Sequence, residues 1–242
     1  MSSVAYTRIE VLRTFRNGRF FILSLAFPLV LFFFVAGANR HKTLGGISFP
    51  LYYMVGMASW GAMAAVMSGG ARIALERSVG WTRQMRITPL SVYAYFQSKV
   101  LSSYLMAIVS LVLLYAAGLS LGVHMATTRW LEMTGLLIVG LIPFVVLGIL
   151  LGHLLTVDSM GPALGGIVAV FALLGGSYGP LATSGALHSI AENLPSYWLV
   201  QAGYVALGAG AWPAHGWIVL GVWSVVLLRF AFVVYRRDTA RV

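Results

Sequence analysis

"VLSSYLMAIVSLVLLYAAGLSL", residues 100–121, runs for 22 residues without one charged side chain. A hydrocarbon core about 30 Å thick needs about 20 apolar residues in a helix, because a helix satisfies its backbone polar groups where no water can. The stretch therefore reads as a membrane span. The whole chain agrees: 60% of its residues are hydrophobic and 9% charged, against about 25% charged in a soluble domain. A chain of 242 residues has room for about six or seven spans.

Outward from residues 100–121, the apolar runs predict six spans: 20–37, 49–71, 100–121, 131–155, 161–180 and 216–235. Ahead of them, Thr7 and Glu10 stand three apart as in a capping box, which predicts a short helix from about Arg8 to Gly18. Ile9, Leu12 and Phe15 recur at helical spacing, while Arg8, Arg16 and Arg19 share that arc and would have to snorkel, so the helix is expected to lie along the membrane surface. The basic start followed by an apolar run resembles a secretory signal. The run is long enough to span, however, so it is expected to stay as an anchor. Between spans five and six, "LATSGALHSIAENLPSYWLVQAGYVALGAGAW" (181–212) is too polar to cross and too apolar for an ordinary loop. It predicts one or two short helices that re-enter the outer leaflet under cover of the other helices.

The expected fold is thus an all-α membrane protein: six transmembrane helices, an N-terminal interfacial amphipathic helix and an outer re-entrant helical segment. It forms a single domain over residues 1–242. Its parts are the interfacial helix (1–19), spans one and two (20–71), a polar cytoplasmic loop (72–92), spans three to five (93–180), the re-entrant segment (181–212), and span six with a cytoplasmic tail (213–242). With both termini in the cytoplasm, the inner flanks hold thirteen cations: Arg8, Arg13, Arg16, Arg19, Arg72, Arg77, Arg83, Arg86, Lys99, Arg229, Arg236, Arg237 and Arg241. The outer flanks hold Arg40, Lys42 and Arg129, and this bias sets the orientation in a cell membrane. Fourteen Arg against two Lys, with abundant Ala, Gly and Val, hints at a GC-rich bacterial genome.

Within the second span, Gly61, Ala65 and Gly69 repeat every four residues and make a stripe on which helix backbones can approach closely. Met57, Trp60, Met63 and Met67 lie on a neighbouring arc. They either pack against lipid and core or form an adaptable wall for a hydrophobic solute. Pro143, Gly148 and Gly152 predict a kink and a close contact in the fourth span, with His153 a packing residue near its inner end.

Several chemistries are excluded. The net charge of +10 flanks apolar spans rather than covering a polar domain, so it speaks for orientation and against nucleic acid. No cysteine is present, which removes disulfides and thiolate sites. No G-x-x-x-x-G-K-[ST] phosphate cradle occurs, and neither H-E-x-x-H nor G-x-S-x-G. No acidic residue is expected at mid-membrane, where an ion-coupled carrier would need one. His188 and Glu192, four apart, read as a surface ion pair, since two ligands do not close a metal site.

That leaves "ERSVGWTRQMRITPLS" (76–91), the most polar passage in the chain. Gly80 can stop the helix continuing from span two, and Thr88 with Pro89 has the form of an N-cap followed by proline at the first helical position. Trp81 to Ile87 could form about two turns standing off the membrane, with Trp81 and Met85 on one face. A loop that only fixed orientation would need charge alone, not Trp and Met between helix punctuation.

"LERSVGWTRQMRITPLSVYAYFQSKVL" resembles the inner loop of the ABC type 2 permease family, in which an acidic-basic pair, a glycine and a Thr-Pro-Leu precede the third span. "GGSYGPLATSGALHSIAENLPSYW" is similar to that family's Gly/Pro passage after the fifth span, including Leu194, Pro195 and Trp198. The resemblance covers essentially the whole chain. It implies a membrane subunit that is no enzyme itself and binds no cofactor. It docks a pair of separate ATPase subunits, which hold ATP and Mg, and pairs with a second permease copy or a paralogous permease. Glu76, Arg77, Gly80, Thr88, Pro89 and Leu90 match the family's loop. Trp81-Thr82-Arg83 departs from the common Thr-Leu-Glu and is closer to the drug and antibiotic exporters, whose loop is more basic.

The expected function is therefore the permease subunit of an ABC exporter, moving a hydrophobic or amphipathic compound outward, with efflux and multidrug or antibiotic resistance as its setting. The expected coupling loop comprises Glu76, Arg77, Gly80, Trp81, Arg83, Met85, Arg86, Thr88, Pro89 and Leu90, braced by Arg13 and Arg16 of the interfacial helix. The alternative is an ATPase-independent carrier or channel, and a membrane enzyme built on His188 and Glu192 is a third. Membrane lipid is a partner in every case.

Overall fold

The computed structural model describes residues 3–16, 18–44, 46–80, 91–179, 181, 184–208 and 212–240. Its helices are α1 (Ser3–Arg16), α2 (Gly18–Ala38), α3 (Phe49–Met67), α4 (Gly69–Ser78), α5 (Val92–Ser120), α6 (Thr127–Gly140), α7 (Ile142–Leu154), α8 (Val157–Gly175), α9 (Ala186–Glu192), α10 (Pro195–Ala206) and α11 (Ala214–Ala240). The first loop is a two-residue antiparallel ladder, β1 (Thr43–Leu44) with β2 (Ile47–Ser48), in which Thr43 faces Ser48 and Leu44 faces Ile47. Gly46 takes the left-handed conformation at its turn, φ +82°.

Among the described residues, four helical segments are long and apolar enough to cross a membrane: Val92–Ser120, Thr127–Leu154, Val157–Gly175 and Ala214–Arg237, with a shorter apolar stretch at Leu25–Ala38. The chain is an all-α, multi-pass membrane protein. Helix α3 stands at the centre and touches α2, α5, α7, α8 and α10. Sixteen of its residues are buried, so protein rather than lipid surrounds it, and it tolerates the Tyr, Trp, Ser and Gly that dilute its hydropathy.

Three boundaries differ from the sequence expectation, each for a local reason. Helix α1 begins at Ser3, which places Thr7 and Glu10 inside it and not at a capping box. The second run breaks at Ser68, whose hydroxyl donates to the Ala65 carbonyl at 2.6 Å before Gly69 and Gly70 begin α4. The third run starts eight residues earlier than expected, at Val92, capped by the Ser91 hydroxyl accepting from the Ala94 amide at 3.2 Å. α5 is thus capped by Ser91, and Thr88 with Pro89 lies outside the described residues.

The fourth run divides at Leu141, with Pro143 in the first turn of α7 where its missing N–H costs nothing. α8 opens on a reciprocal cap between Thr156 and Ser159 and closes at Gly176, φ +82°.

Helices α4 and α7 cross at backbone contact. A Cβ on Gly70 would collide with the Gly148 carbonyl, and one on Gly152 would lie 2.5 Å from the Gly70 oxygen. Only glycine allows that approach. Helix α10 lies across α3, α6 and α8; the Ser59 hydroxyl donates to the Leu199 carbonyl at 3.2 Å, and the Trp198 and Trp223 indoles donate to the carbonyls of Glu192 and Asn193.

Candidate functional site

The inner end of the bundle holds a cluster of buried charge. Lys99 stands in the second turn of α5, Glu76 in the second half of α4 and Glu10 in the middle of α1. The Lys99 Nζ lies 2.6 Å from Glu10 Oε1 and 2.5 Å from Glu76 Oε1, and the three side chains are only 1% to 4% exposed. The second Glu76 oxygen accepts from the Tyr95 hydroxyl at 3.1 Å, whose ring lies 5.3 Å below the ammonium. Arg72, one turn before Glu76, donates to the hydroxyls of Thr14 and Ser102, the latter at 3.0 Å. Arg13, with half of its side chain in solvent, stands 3.7 Å from Glu76 Oε1 at the rim.

Two carboxylates thus face one buried cation, Lys99, one partly buried cation, Arg72, and one at the rim, Arg13. A lone ion taken from water into this interior costs several kcal/mol, and the cluster is tolerable because every ionised group has a close opposite charge or a hydroxyl. Its three carriers belong to α1, α4 and α5, so it fastens three helices at one point.

Arg77 turns the other way. Its Nη1 donates to the carbonyls of Gly152 at 3.2 Å and Leu155 at 3.4 Å. These oxygens belong to the carboxyl end of α7, where carbonyls lack helical partners and a cation is favoured. The adjacent pair Glu76 and Arg77 therefore ties α4 to α1 and α5 on one side and to α7 on the other. α4 stops just beyond at Val79, and Gly80 follows with φ +71°.

Of the expected coupling loop, Glu76, Arg77 and Gly80 lie at this root. Trp81, Arg83, Met85, Arg86, Thr88, Pro89 and Leu90 lie outside the described residues, as does the Arg16 side chain. Met57, Trp60, Met63 and Met67 are all buried in the core; Trp60 packs between Phe27 at 5.0 Å and Tyr178 at 5.5 Å. Gly61 faces Ser110 and Leu114 of α5, Gly69 faces Ser103 of the same helix, and Ala65 is buried between them. His188 Nε2 lies 3.0 Å from Glu192, and the described residues hold no group of three or more metal-ligating side chains. His153 is buried among the rings of Phe96 and Tyr235.

Sequence reasoning missed Glu10, Arg72, Tyr95 and Lys99 as members of one site, counting the cations as orientation signals. A signal existed. Tyr95, Ser98, Lys99 and Ser102 form a polar stripe at helical spacing, as do Arg72 with Glu76 and Glu10 with Thr14, and polar stripes on apolar helices must face one another.

The arrangement offers no nucleophile and no proton-transfer pair open to a solute. It offers rigidity at the base of the polar loop. The family of ABC-2 family transporter proteins matches residues 38–233, a range that includes Glu76, Arg77 and Lys99 but leaves out Glu10. The chain is 26% identical over 230 residues to YvfS of Bacillus subtilis (strain 168), which is provisionally named a transport permease, with 92% of this chain and 89% of that protein covered. A multi-pass helical bundle, a loop root pinned by buried charge, and a family match over most of the chain agree: the chain belongs to the ABC-2 family of transporter proteins and is the membrane subunit of an ABC transporter.

Proposed function

We propose that this permease is driven by a separate ABC ATPase pair docked on the polar loop of residues 72–92, and that it exports a hydrophobic or amphipathic compound. The observation that carries the reading is the ion pair between Glu76 and Lys99. The family works with an ABC ATPase in general, so work done on the loop has to reach the spans. A push on the loop root reaches α1 and α5 through Glu10, Glu76 and Lys99, and α7 through Arg77. Reversing a 99:1 conformational preference takes about 5.5 kcal/mol of differential binding, which only a rigid root can pass on.

Two permease copies, or this chain with a paralogue, would form the path, with ATP and Mg held by the ATPases. Six crossings fit the helices: α2, α3 with α4, α5, α6 with α7, α8, and α11, with α9 and α10 as the outer re-entrant pair and both termini in the cytoplasm of a bacterial cell. The hydrophobic cargo follows from spans rich in Met, Trp, Phe and Gly and poor in charge. Met57, Trp60, Met63 and Met67 would meet it once α3 is uncovered by opening of the bundle.

The test uses the permease co-expressed with its P-loop ATPase. Glu76→Gln keeps the complex, because Lys99 retains Glu10, but lowers transport-coupled ATP hydrolysis about tenfold, the equivalent of 1.4 kcal/mol. Replacing residues 81–87 by Gly and Ser abolishes co-purification, and Arg40→Gln does not. Uphill transport by the permease alone, or unchanged coupling in Glu76→Gln, overturns the reading.

A further inference from the structure

At the end of the bundle opposite the charge cluster, α6 and the carboxyl end of α10 border an open groove of ≈ 710 Å³ lined by Arg129, Leu131, Glu132, Gly135, Leu136, Val139 and Val205. We propose that it binds a phospholipid with an ethanolamine headgroup: phosphate on Arg129, primary ammonium on Glu132, and one acyl chain along Gly135, Leu136 and Val139.

The depth suits a headgroup. Trp130 lies 4.6 Å from Tyr115, Trp212 lies 5.0 Å from Trp217 and Tyr52 lies 5.8 Å from Tyr204 around the same end of the bundle. Trp and Tyr gather where headgroups meet hydrocarbon.

The charges select the class of headgroup. Arg129 is positioned by one bond, its Nη1 donating to the Val205 carbonyl at 2.8 Å. Its remaining donors have no partner among the described residues, and a guanidinium fork matches phosphate oxygens. Glu132, exposed and three residues on, rises from the same helix face about 5–6 Å away at Cβ. Its carboxylate repels a purely anionic headgroup and attracts a cation two carbons beyond the phosphate. A quaternary ammonium is held best by a cage of aromatic faces, and among the described residues no aromatic ring lines this groove. A primary ammonium, with hydrogen-bond donors for the carboxylate, fits the lining better.

Below the charges the wall turns apolar. Gly135 is exposed, and a Cβ there would meet nothing within 4 Å. Its missing side chain leaves a slot on α6 in which a chain can lie against Leu136 and Val139. The assignment of this end to the outer leaflet rests on the orientation proposed above; the site itself does not.

The full chain, purified in detergent with equal amounts of phosphatidylethanolamine, phosphatidylcholine and phosphatidylglycerol of identical acyl chains, is delipidated stepwise and its retained lipid counted by native mass spectrometry. Phosphatidylethanolamine is retained about tenfold over the other two. Glu132→Gln removes that preference and lets phosphatidylglycerol rise to parity. Gly135→Leu, which the open space accommodates without disturbing the fold, displaces all three. Equal retention of the three lipids by the unaltered chain, or an ethanolamine preference that survives both substitutions, overturns the proposal. No ATPase and no transported compound enters the measurement, so its failure is separable from failure of the coupling reading.

Discussion

Glu76 and Lys99, 23 residues apart along the chain, meet at 2.5 Å in the protein interior, and the lysine closes a second bond to Glu10, 89 residues away. One ammonium therefore fixes the distance between the amino-terminal helix α1, the loop root on α4 and the start of α5.

Removing that ammonium leaves two buried carboxylates facing each other. Lys99→Met is expected to cost about 3–5 kcal/mol, the usual penalty for stripping one partner from a buried pair. Adding Glu10→Gln to the same chain should recover more than half of it, since one buried carboxylate, Glu76, then remains and still faces Arg72 and Arg13. Thermal unfolding in detergent reads both variants; a Lys99→Met chain as stable as the parent removes the cluster from the fold's energetics.

Arg77 is expected to act on α7 without taking part in the cluster. Arg77→Ala frees the carbonyls of Gly152 and Leu155 and costs about 1.5–3 kcal/mol, as loss of a charged donor does. Hydrogen exchange should quicken in the last turn of α7 while the first turns of α5 stay protected. Faster exchange at Ser98 to Ser102 instead would show that the two sides of α4 are not separable.

The crossing of α4 over α7 should tolerate no added atom. Gly70→Ala drives a methyl into the Gly148 carbonyl, an overpacking against backbone expected to cost at least the usual 1–3 kcal/mol. Gly37→Ala, with open space around it, is the matched control. Equal yields of folded protein from the two variants would mean that the helices part easily here.

The absence of cysteine makes the proposed six-span topology directly testable. Single cysteines at Thr82 and at Thr239 should react with an impermeant maleimide only after the membrane is opened, and one at Arg40 should react in intact cells. Labelling of Thr82 from outside would invert the orientation and move the ATPase dock to the wrong face.

The sequence by itself determined that this is a helical membrane protein, where its apolar runs lie, and which loop is unlike the rest. Those properties follow from composition and from the thickness of a bilayer, which act on each segment separately. It also marked Glu76, Arg77 and Gly80 by resemblance. Only the tertiary structure decided that Lys99 is a buried tie, that Glu10 serves α4 and α5 instead of capping its own helix, that Ser68 interrupts the second run, and that Arg77 ends on α7. A charge near a span end has the same local pattern whether it faces headgroups or another helix. The choice is made by partners 23 and 89 residues away, through the cost of burying an ion alone.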